Sequence, residues 1–238
     1  MDENIFERYE KKYLLTKAQY KALMERLQDD LGTNQYSFST VCSLYLDNDQ
    51  STLIRNSIDA IGYKEKYRLR SYGVPSDTSR VFLEVKKKYN GIVYKRRVAM
   101  TYEQAMAYLN QHKMPNQTQI MKEIDYGMSH YDHIEPKVLI MYDRSAYFLK
   151  SDPEIRITFD QNPRYRLDDL NMQDGMDGES ILSQDQVLLE LKNPGYLPLW
   201  LAQILDELKI YPTSFSKYGA VYNNRIRGNS SYEHLYSN

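Results

Sequence analysis

Charged side chains recur on alternate residues in several short segments of the sequence. The first three segments carry Arg8, Glu10 and Lys12; Lys64, Lys66, Arg68 and Arg70; and Glu84, Lys86 and Lys88. Three later segments carry Arg144; Arg156 with Thr158 and Asp160; and Glu190 with Lys192. Side chains alternate between the two faces of a β-strand, so each set lines one face of its strand. The sequence therefore predicts a charged strand face that recurs along the chain.

Like charges on the same face of neighbouring strands repel and destabilise the sheet unless an anion lies against them. A phosphate chain is the anion that suits these side chains best, because guanidinium and ammonium groups donate hydrogen bonds to phosphate oxygens. A carboxylate on the same face can hold a divalent ion that bridges protein and phosphate. The simpler alternative is an antiparallel sheet with one face in water. Six charged segments in one chain favour phosphate binding.

Composition and charge fit one soluble domain. The 238 residues include 31 Lys and Arg and 32 Asp and Glu, for a net charge of -1. This length suits a single β-rich domain, so we expect one domain over residues 1–238. Acidic residues concentrate between Asp168 and Asp185, away from the basic strands. This separation argues against nucleic-acid binding, which stays a weaker alternative because basic strands with tyrosines can also stack bases.

The single cysteine and the hydropathy pattern indicate a cytoplasmic protein. Cys42 alone excludes an internal disulfide and a thiolate metal cluster, and its apolar neighbours Val41, Leu44 and Leu46 predict that it is buried. No apolar segment approaches 18 residues. The N-terminus also lacks the apolar core of a signal peptide. We therefore expect no membrane segment in this chain.

Helices and strands alternate around the charged segments. Apart from the strand near residues 8–13, the predicted strands are 39–46, 62–72, 80–89, 92–100, 137–149, 154–160 and 186–191. Capping boxes at Thr16 and Thr101 begin helices that we expect to reach about Gly32 and Leu109. Further helices are predicted at 49–59, 117–129 and 198–208, and a loop rich in Gly and Asp at 167–184. Asn90-Gly91 predicts a tight hairpin turn.

The face opposite the charges is apolar in several strands, as at Val81, Leu83 and Val85, or Leu189 and Leu191. An open sheet would pack this apolar face on helices and leave the charged face in water. A closed sheet would instead enclose the charged face as a polar tunnel and remove exposed strand edges. The residue pattern by itself leaves both arrangements open.

Short motifs along nearly the whole chain resemble, in order, those of the VTC domain. They are RYEKKY (8–13), SLYLDN (43–48), YRLRSYG (67–73), EVK (84–86), YDR (142–144), RITFD (156–160), LELK (189–192) and SKY (216–218). The VTC domain is the catalytic domain of the vacuolar transporter chaperone polyphosphate polymerases, in the CYTH-like triphosphate tunnel metalloenzyme superfamily. The resemblance implies an α+β, β-rich fold: a closed antiparallel barrel of about eight strands around a basic tunnel, with peripheral helices.

The resemblance also implies roles for individual residues. It matches Lys12, Arg68, Arg70, Lys86, Arg144 and Arg156 to catalytic phosphate-binding positions, Lys95 and Lys217 to further phosphate contacts, and Glu190 to a metal ligand. The alternating pattern adds Arg8, Lys66, Lys88 and Lys192 as phosphate-binding candidates. Glu84 and Glu10 are second candidates for the metal, with the alternative that they only pair with neighbouring Lys or Arg.

The implied activity is transfer of the γ-phosphate of ATP to a growing polyphosphate chain, with Mn²⁺ or Mg²⁺. Hydrolytic and cyclase branches of the superfamily open with Glu-x-Glu-x-Lys, whereas this chain has Arg8-x-Glu10-x-Lys12, which favours the polymerase. Two alternatives stay open: hydrolysis of tripolyphosphate or a nucleoside triphosphate, and binding of polyphosphate or other triphosphate anions without turnover. Eukaryotic family members carry an SPX domain and membrane helices, and we expect neither here, so coupling to product translocation would come from a membrane partner or be absent.

Overall fold

The structure is a computed structural model that describes residues 9–59, 62–89 and 92–226. Arg8 and the predicted Asn90-Gly91 turn lie outside the described residues. Within these ranges, no helix has both the length and the apolar composition that crossing a membrane requires.

Strands and helices alternate along the chain. The strands are β1 (Tyr9–Thr16), β2 (Leu31–Gly32), β3 (Phe38–Asp47), β4 (Tyr63–Tyr72), β5 (Arg80–Tyr89), β6 (Ile92–Thr101), β7 (Glu135–Leu149), β8 (Asp152–Arg166), β9 (Glu179–Ser180), β10 (Gln186–Asn193) and β11 (Pro212–Thr213). The helices are α1 (Lys17–Leu27), α2 (Thr52–Asp59), α3 (Tyr102–Gln111), α4 (Gln119–Met128), α5 (Leu199–Glu207), α6 (Lys217–Val221) and a π-helix, Tyr222–Ile226. Every strand and helix predicted from the sequence is confirmed.

The differences from prediction lie at element ends and in short elements. The helix α1 begins at its predicted capping box but ends at Leu27, before the predicted Gly32. Leu31 and Gly32 instead pair with Leu149 and Phe148 as β2. A β-carbon on Gly32 would lie 2.4 Å from the Phe148 ring, so this close approach requires glycine. The strand β8 runs past residue 160 to Arg166, and β2, β9, β11 and α6 were too short to leave a pattern.

The described residues form two compact units. Unit 1 consists of the described parts of Met1–Thr40, Tyr142–Pro163 and Leu182–Phe215, and unit 2 of those of Val41–Met141, Arg164–Ile181 and Ser216–Asn238. The strands β7 and β8 contribute residues to both units. The assignment of the whole chain to one domain stays a prediction.

Unit 1 is a sheet covered by two helices. Its strands lie in the order β11-β1-β10-β8-β7, with β2 added to β7. The apolar face of this sheet packs with α1 and α5 in one core. Core side chains include Tyr13, Leu15, Leu23, Leu27, Ile157, Phe159, Leu189, Leu191, Leu201 and Leu205. Since these alternate with the charged residues of β1, β8 and β10, burial of the apolar face fixes which way the charges point.

Unit 2 repeats this layering. Its strands lie in the order β7-β3-β4-β5-β6. The short strand β9 pairs with the end of β8 that belongs to this unit. Its core combines one face of β3–β6 with α3 and α4 and includes Leu44, Leu69, Leu83, Val85, Ala105, Tyr108, Met121 and Ile124. Cys42 lies fully buried in this core, as predicted, and burial raises the pKa of its thiol to about 11. Cys42 is therefore a packing residue rather than a nucleophile.

The strand order is linear from β11 to β6, and pairing among the described strands does not close it into a ring. The β-rich antiparallel sheet with peripheral helices is confirmed, but the closed barrel is not. One end of the order is β11, a two-residue strand that contains Pro212. Proline has no backbone N–H to donate to a further strand, so it protects such an edge from pairing.

The buried carboxylate of Glu65 ties α4 to the apolar side of β4. Its Oε2 accepts hydrogen bonds from the hydroxyls of Tyr63 and Tyr67, each at 3.0 Å, and its Oε1 accepts one from Tyr131. The ammonium of Lys87 lies 3.8 Å away. A β-carbon at Gly127 of α4 would lie 2.2 Å from the Tyr67 hydroxyl oxygen, so glycine allows the helix to approach this cluster.

We predict that Glu65→Gln destabilises the protein. The amide keeps the size of the side chain but removes the charge and one of the acceptors for the tyrosine hydroxyls. The free energy of unfolding should fall by about 1–3 kcal/mol, or roughly 2–4 °C in melting temperature per kcal/mol. Circular dichroism on heating measures this. Glu25→Gln, whose side chain is 66% exposed, is the matched control, and equal melting temperatures for the two variants would contradict the role of Glu65.

Candidate functional site

Each unit carries one charged face, opposite its apolar core. The unit 1 face is formed by Glu10, Lys12, Arg144, Arg156, Thr158, Asp160, Glu190 and Lys192. The unit 2 face is formed by Tyr45, Lys64, Lys66, Arg68, Arg70, Glu84, Lys86, Lys88, Lys95 and Arg97. Within each unit, the predicted strand residues therefore come together on one side of the sheet.

Lysines lie directly opposite one another across three strands of unit 2. Lys66 on β4 pairs in register with Lys86 on β5, which pairs with Lys95 on β6. Lys64 and Lys88 form another opposed pair towards the same end of the strands. Opposed like charges destabilise a sheet by themselves. This lysine row, Lys66, Lys86 and Lys95, is therefore a site where a bound anion would relieve repulsion.

Glu84 is the carboxylate on this face of β4, β5 and β6, and it is held by cations. Its Oε2 accepts a hydrogen bond from Nε of Arg68 at 2.8 Å, and Nη2 of Arg68 also lies 2.8 Å from this oxygen. Its Oε1 lies 2.7 Å from Nζ of Lys95, and Nε of Arg70 is 3.8 Å from Oε2. Burial raises the pKa of Glu84, but Arg68, Arg70 and Lys95 outweigh burial and lower it to about 2.

In this arrangement Glu84 pairs with neighbouring basic residues, and its role as a metal ligand stays a prediction. Only 2% of its side chain is exposed, and two basic side chains occupy its two oxygens. Because several cations share one carboxylate, the face keeps an excess of positive charge. Glu84 therefore fixes the direction of Arg68 and Lys95 and leaves donors for an anion.

Because Glu84 is shared by several cations, it only partly stabilises the protonated form of Lys95. Burial lowers the pKa of Lys95, Glu84 opposes this, and the charges of Arg70 and Arg68 add to the lowering, for a pKa of about 8. Its side chain is 42% exposed and so open to a ligand. A phosphate oxygen beside Lys95 would favour the protonated form.

Arg97 and Tyr45 lie on this face but were neither predicted site residues nor members of the charged segments read from the sequence. Arg97 pairs in register with Glu84, and its guanidinium lies 4.9 Å from the centre of the Phe82 ring. Arg97 lies two residues after Lys95, so the alternation of charged residues along the strand could have predicted that both share a face. Tyr45 pairs in register with Arg68 and accepts a hydrogen bond from Arg68 Nη1 at 3.2 Å. Burial raises the pKa of Tyr45, but Arg68, Lys66 and Arg70 outweigh burial and lower it to about 8.

Lys217 lies at the start of α6, beside a serine that contacts the charged face. Ser216 caps α6 by accepting a hydrogen bond from the backbone N–H of Gly219 at 3.2 Å. The hydroxyl of Ser216 also accepts one from Nζ of Lys66 at 3.0 Å. The Ser216-Lys217 motif is thus brought to the unit 2 face through Lys66.

In unit 1, a buried carboxylate holds Arg144. Asp160 is fully buried, and its two oxygens accept hydrogen bonds from Nε and Nη2 of Arg144 at 2.6 and 2.7 Å. This bidentate geometry fixes the plane of the guanidinium. Nη2 of Arg144 also reaches Oε2 of Glu190 at 3.4 Å.

Glu190 lies among three cations. Its oxygens are 3.8 Å from Nζ of Lys12 and 3.9 Å from Nζ of Lys192, in addition to the Arg144 contact. Glu10 lies 3.7 Å from Lys12 and 4.0 Å from Lys192, so it pairs with both lysines. The lysine contacts are long, and about a quarter to a third of each lysine side chain is exposed.

The remaining predicted residues differ in exposure. Arg156 is exposed and lies opposite Lys192 in register. Lys88 is exposed at the end of β5, and Lys86 is half-buried on the same strand. These positions put basic groups on the charged faces of both units.

A divalent ion fits unit 1 only with help from phosphate oxygens. Among the described residues, no group of three or more His, Cys, Asp or Glu side chains could hold a metal ion. Glu190 is the metal-ligand candidate that the resemblance gives, and its neighbours include two partly exposed lysines, Lys12 and Lys192. Mg²⁺ commonly binds one or two carboxylates plus substrate phosphates and water, so this donor set fits when a phosphate chain is present.

Comparison with known proteins identifies the family. The model of the VTC domain matches residues 7–224. The chain belongs to the VTC domain family. This VTC domain has no match among curated protein sequences.

Solved structures share the fold of this VTC domain at low sequence identity. An adenylate cyclase-like protein from Bacillus halodurans has a TM-score of 0.54 and 13% identity, covering 94% of this chain and 100% of its own. An adenylyl cyclase-like protein from Hippeastrum, described as having a dominant triphosphatase activity, has a TM-score of 0.52 and 12% identity, covering 92% and 95%. At these identities the likeness establishes the fold alone.

We predict that Lys95 makes triphosphate binding pH-dependent. Lys95 is protonated below a pKa of about 8, and its charge is lost as the pH rises through that value. From pH 7 to pH 9 the dissociation constant for tripolyphosphate should rise by up to about tenfold more in the wild-type VTC domain than in Lys95→Gln. Calorimetric titration at constant ionic strength measures both. Parallel pH profiles would contradict a phosphate contact at Lys95.

Proposed function

We propose that this VTC domain is a polyphosphate polymerase-like phosphotransferase that moves the γ-phosphate of ATP onto a polyphosphate chain. Its substrates are then ATP and polyphosphate, with Mn²⁺ or Mg²⁺ as cofactor. Because it consumes ATP, we place it in the cytoplasm.

The observation that carries the proposal is the row of opposed lysines, Lys66, Lys86 and Lys95. Opposed lysines destabilise a sheet by themselves, and Glu84, which contacts Lys95, is shared with Arg68 and Arg70. A phosphate chain carries negative charge at each unit, so it can contact successive basic residues along a strand. The row is therefore well suited to a linear polyphosphate.

Phosphoryl transfer requires positioning and charge neutralisation more than covalent chemistry. On the unit 2 face, Arg68, Arg70 and Lys95 are oriented by Glu84 and would bind phosphate oxygens. On the unit 1 face, Arg144 is oriented by Asp160, and Lys12 and Arg156 would neutralise further oxygens. The terminal phosphate of the acceptor chain would supply the attacking oxygen, so no side-chain nucleophile is needed.

Glu190 is the residue that would hold the divalent ion. A bound ion would neutralise phosphate charge and align donor phosphates. Displacing Lys12 and Lys192 from Glu190 costs little, because both contacts are long and partly solvated. The displaced lysines would then be available to phosphate oxygens of the same substrate.

The carboxylates of unit 1 favour transfer over hydrolysis. Glu10 and Glu190 contact the same two lysines, Lys12 and Lys192, and among the described residues no set of three acidic, His or Cys side chains could hold a metal ion. Hydrolysis needs a water molecule activated beside the metal-bound phosphate, and several carboxylates would support that. The triphosphatase alternative has its support in the activity described for the Hippeastrum protein, which shares only the fold.

The test is a paired assay of the purified protein with Mn²⁺ or Mg²⁺, with ATP in one reaction and tripolyphosphate in the other. We expect long-chain polyphosphate and ADP from ATP. Glu190→Gln should lower this metal-dependent turnover by at least about a hundredfold while retaining phosphate binding. Gel electrophoresis of polyphosphate and a free-phosphate assay measure the products.

Glu207→Gln is the matched control, because Glu207 is exposed and pairs with Arg26 away from the charged residues of unit 1. It should keep wild-type turnover. Orthophosphate from tripolyphosphate without polymer would establish the hydrolase instead. Unchanged turnover in Glu190→Gln would remove Glu190 from the mechanism.

A further inference from the structure

The charged face of unit 2 ends in a pair of aromatic rings. Tyr72 on β4 lies two residues after Arg70, and Phe82 on β5 lies two residues before Glu84, so both rings share the face of these charges. Phe82 also pairs in register with Arg70. The two ring centroids are 6.2 Å apart in an edge-to-face arrangement. One end of this face is therefore aromatic, whereas opposed lysines occupy the other end.

Two guanidinium groups flank the aromatic pair. That of Arg97 lies 4.9 Å from the centroid of the Phe82 ring, and that of Arg80 lies 5.6 Å from it. These cation–π contacts engage Phe82, whereas 54% of Tyr72 is exposed. Nucleobases stack on tyrosine rings and on guanidinium planes. This aromatic end, formed by Tyr72, Arg80, Phe82 and Arg97, therefore has the chemistry that binding of a base requires.

The position of the aromatic end suits a base that carries a phosphate chain. Phe82 and Lys86 are four residues apart on β5, roughly 14 Å along an antiparallel strand. On β4, Arg68 and Arg70 lie between Tyr72 and the lysine row. An extended nucleoside triphosphate has a comparable length. With its base at the aromatic end, it would reach the two arginines and the lysine row with its phosphates.

We propose that the aromatic end of unit 2 is a subsite that binds the base of a nucleoside triphosphate by stacking on Tyr72. This inference rests on the proposed function, in which a nucleotide is the phosphate donor. Polyphosphate and tripolyphosphate have no base, so they would contact the basic residues of the face without Tyr72. The subsite would therefore favour the nucleotide donor over an inorganic phosphate chain at the same face.

The experiment is a calorimetric titration of the full chain with ATP and, separately, with tripolyphosphate. Both titrations use constant ionic strength and a buffer without divalent ions, so that ATP is bound but not turned over. Tyr72→Ala should raise the dissociation constant for ATP by about five- to tenfold, because the stacking surface is lost. The dissociation constant for tripolyphosphate should change by less than about twofold. Tyr72→Phe keeps the ring and should bind ATP within about twofold of the wild type.

Tyr126→Ala is the matched control. Tyr126 is 68% exposed and lies on α4, which packs on the apolar face of unit 2. This variant should leave both dissociation constants unchanged. An unchanged dissociation constant for ATP in Tyr72→Ala would overturn the proposal. An equal rise for ATP and tripolyphosphate would also overturn it, since damage to the face weakens both anions alike.

The paired turnover assay separates this inference from the proposed function. If the wild type makes no polyphosphate but Tyr72→Ala still loses ATP affinity selectively, the transferase fails and the base subsite stands. If the wild type makes polyphosphate and Tyr72→Ala binds ATP as the wild type does, only the subsite fails. If the wild type binds neither ATP nor tripolyphosphate, both fail.

Discussion

Repulsion between like-charged side chains on neighbouring strands is the constraint on which the unit 2 face depends. Each opposed lysine pair costs roughly a few tenths to 1 kcal/mol, and burial of the apolar face prevents the strands from turning these charges away. Glu84 offsets part of the cost by holding Arg68 and Lys95. Under the proposed function, a bound phosphate chain would offset more of this cost, so repulsion in the free protein would favour anion binding.

The unit 1 face resolves the same problem differently. Here carboxylates alternate with cations: Asp160 neutralises Arg144, and Glu10 and Glu190 lie among Lys12 and Lys192. Because its charges are nearly balanced, this face is less suited to binding an anion than the unit 2 face and better suited to binding a cation. In terms of charge alone, the lysine row of unit 2 suits an anion, whereas the carboxylates of unit 1 suit a cation.

Alternation of charged and apolar residues made most of this architecture predictable from the sequence. This alternation predicted the long strands, the burial of Cys42 and the shared face of Lys66, Lys86 and Glu84. It did so because a period of two residues indicates which side chains of a strand face the core. Which charges pair was not predictable, since the contacts of Glu84 with Arg68 and of Asp160 with Arg144 depend on side-chain directions that the alternating pattern does not set. The strand β2 was mistaken for the end of α1 because its two residues are fixed by pairing with Phe148 and Leu149.

The most direct test of the central claim is the melting temperature of the protein with and without tripolyphosphate, at matched ionic strength. If a phosphate chain relieves the repulsion, tripolyphosphate at a hundred times its dissociation constant should raise the free energy of unfolding by about 2.7 kcal/mol. The melting temperature should then rise by roughly 5–10 °C. The triple variant Lys66→Gln, Lys86→Gln and Lys95→Gln should melt higher than wild type without ligand and gain far less from it. Equal gains for wild type and triple variant, or no gain beyond sodium chloride, would contradict the account.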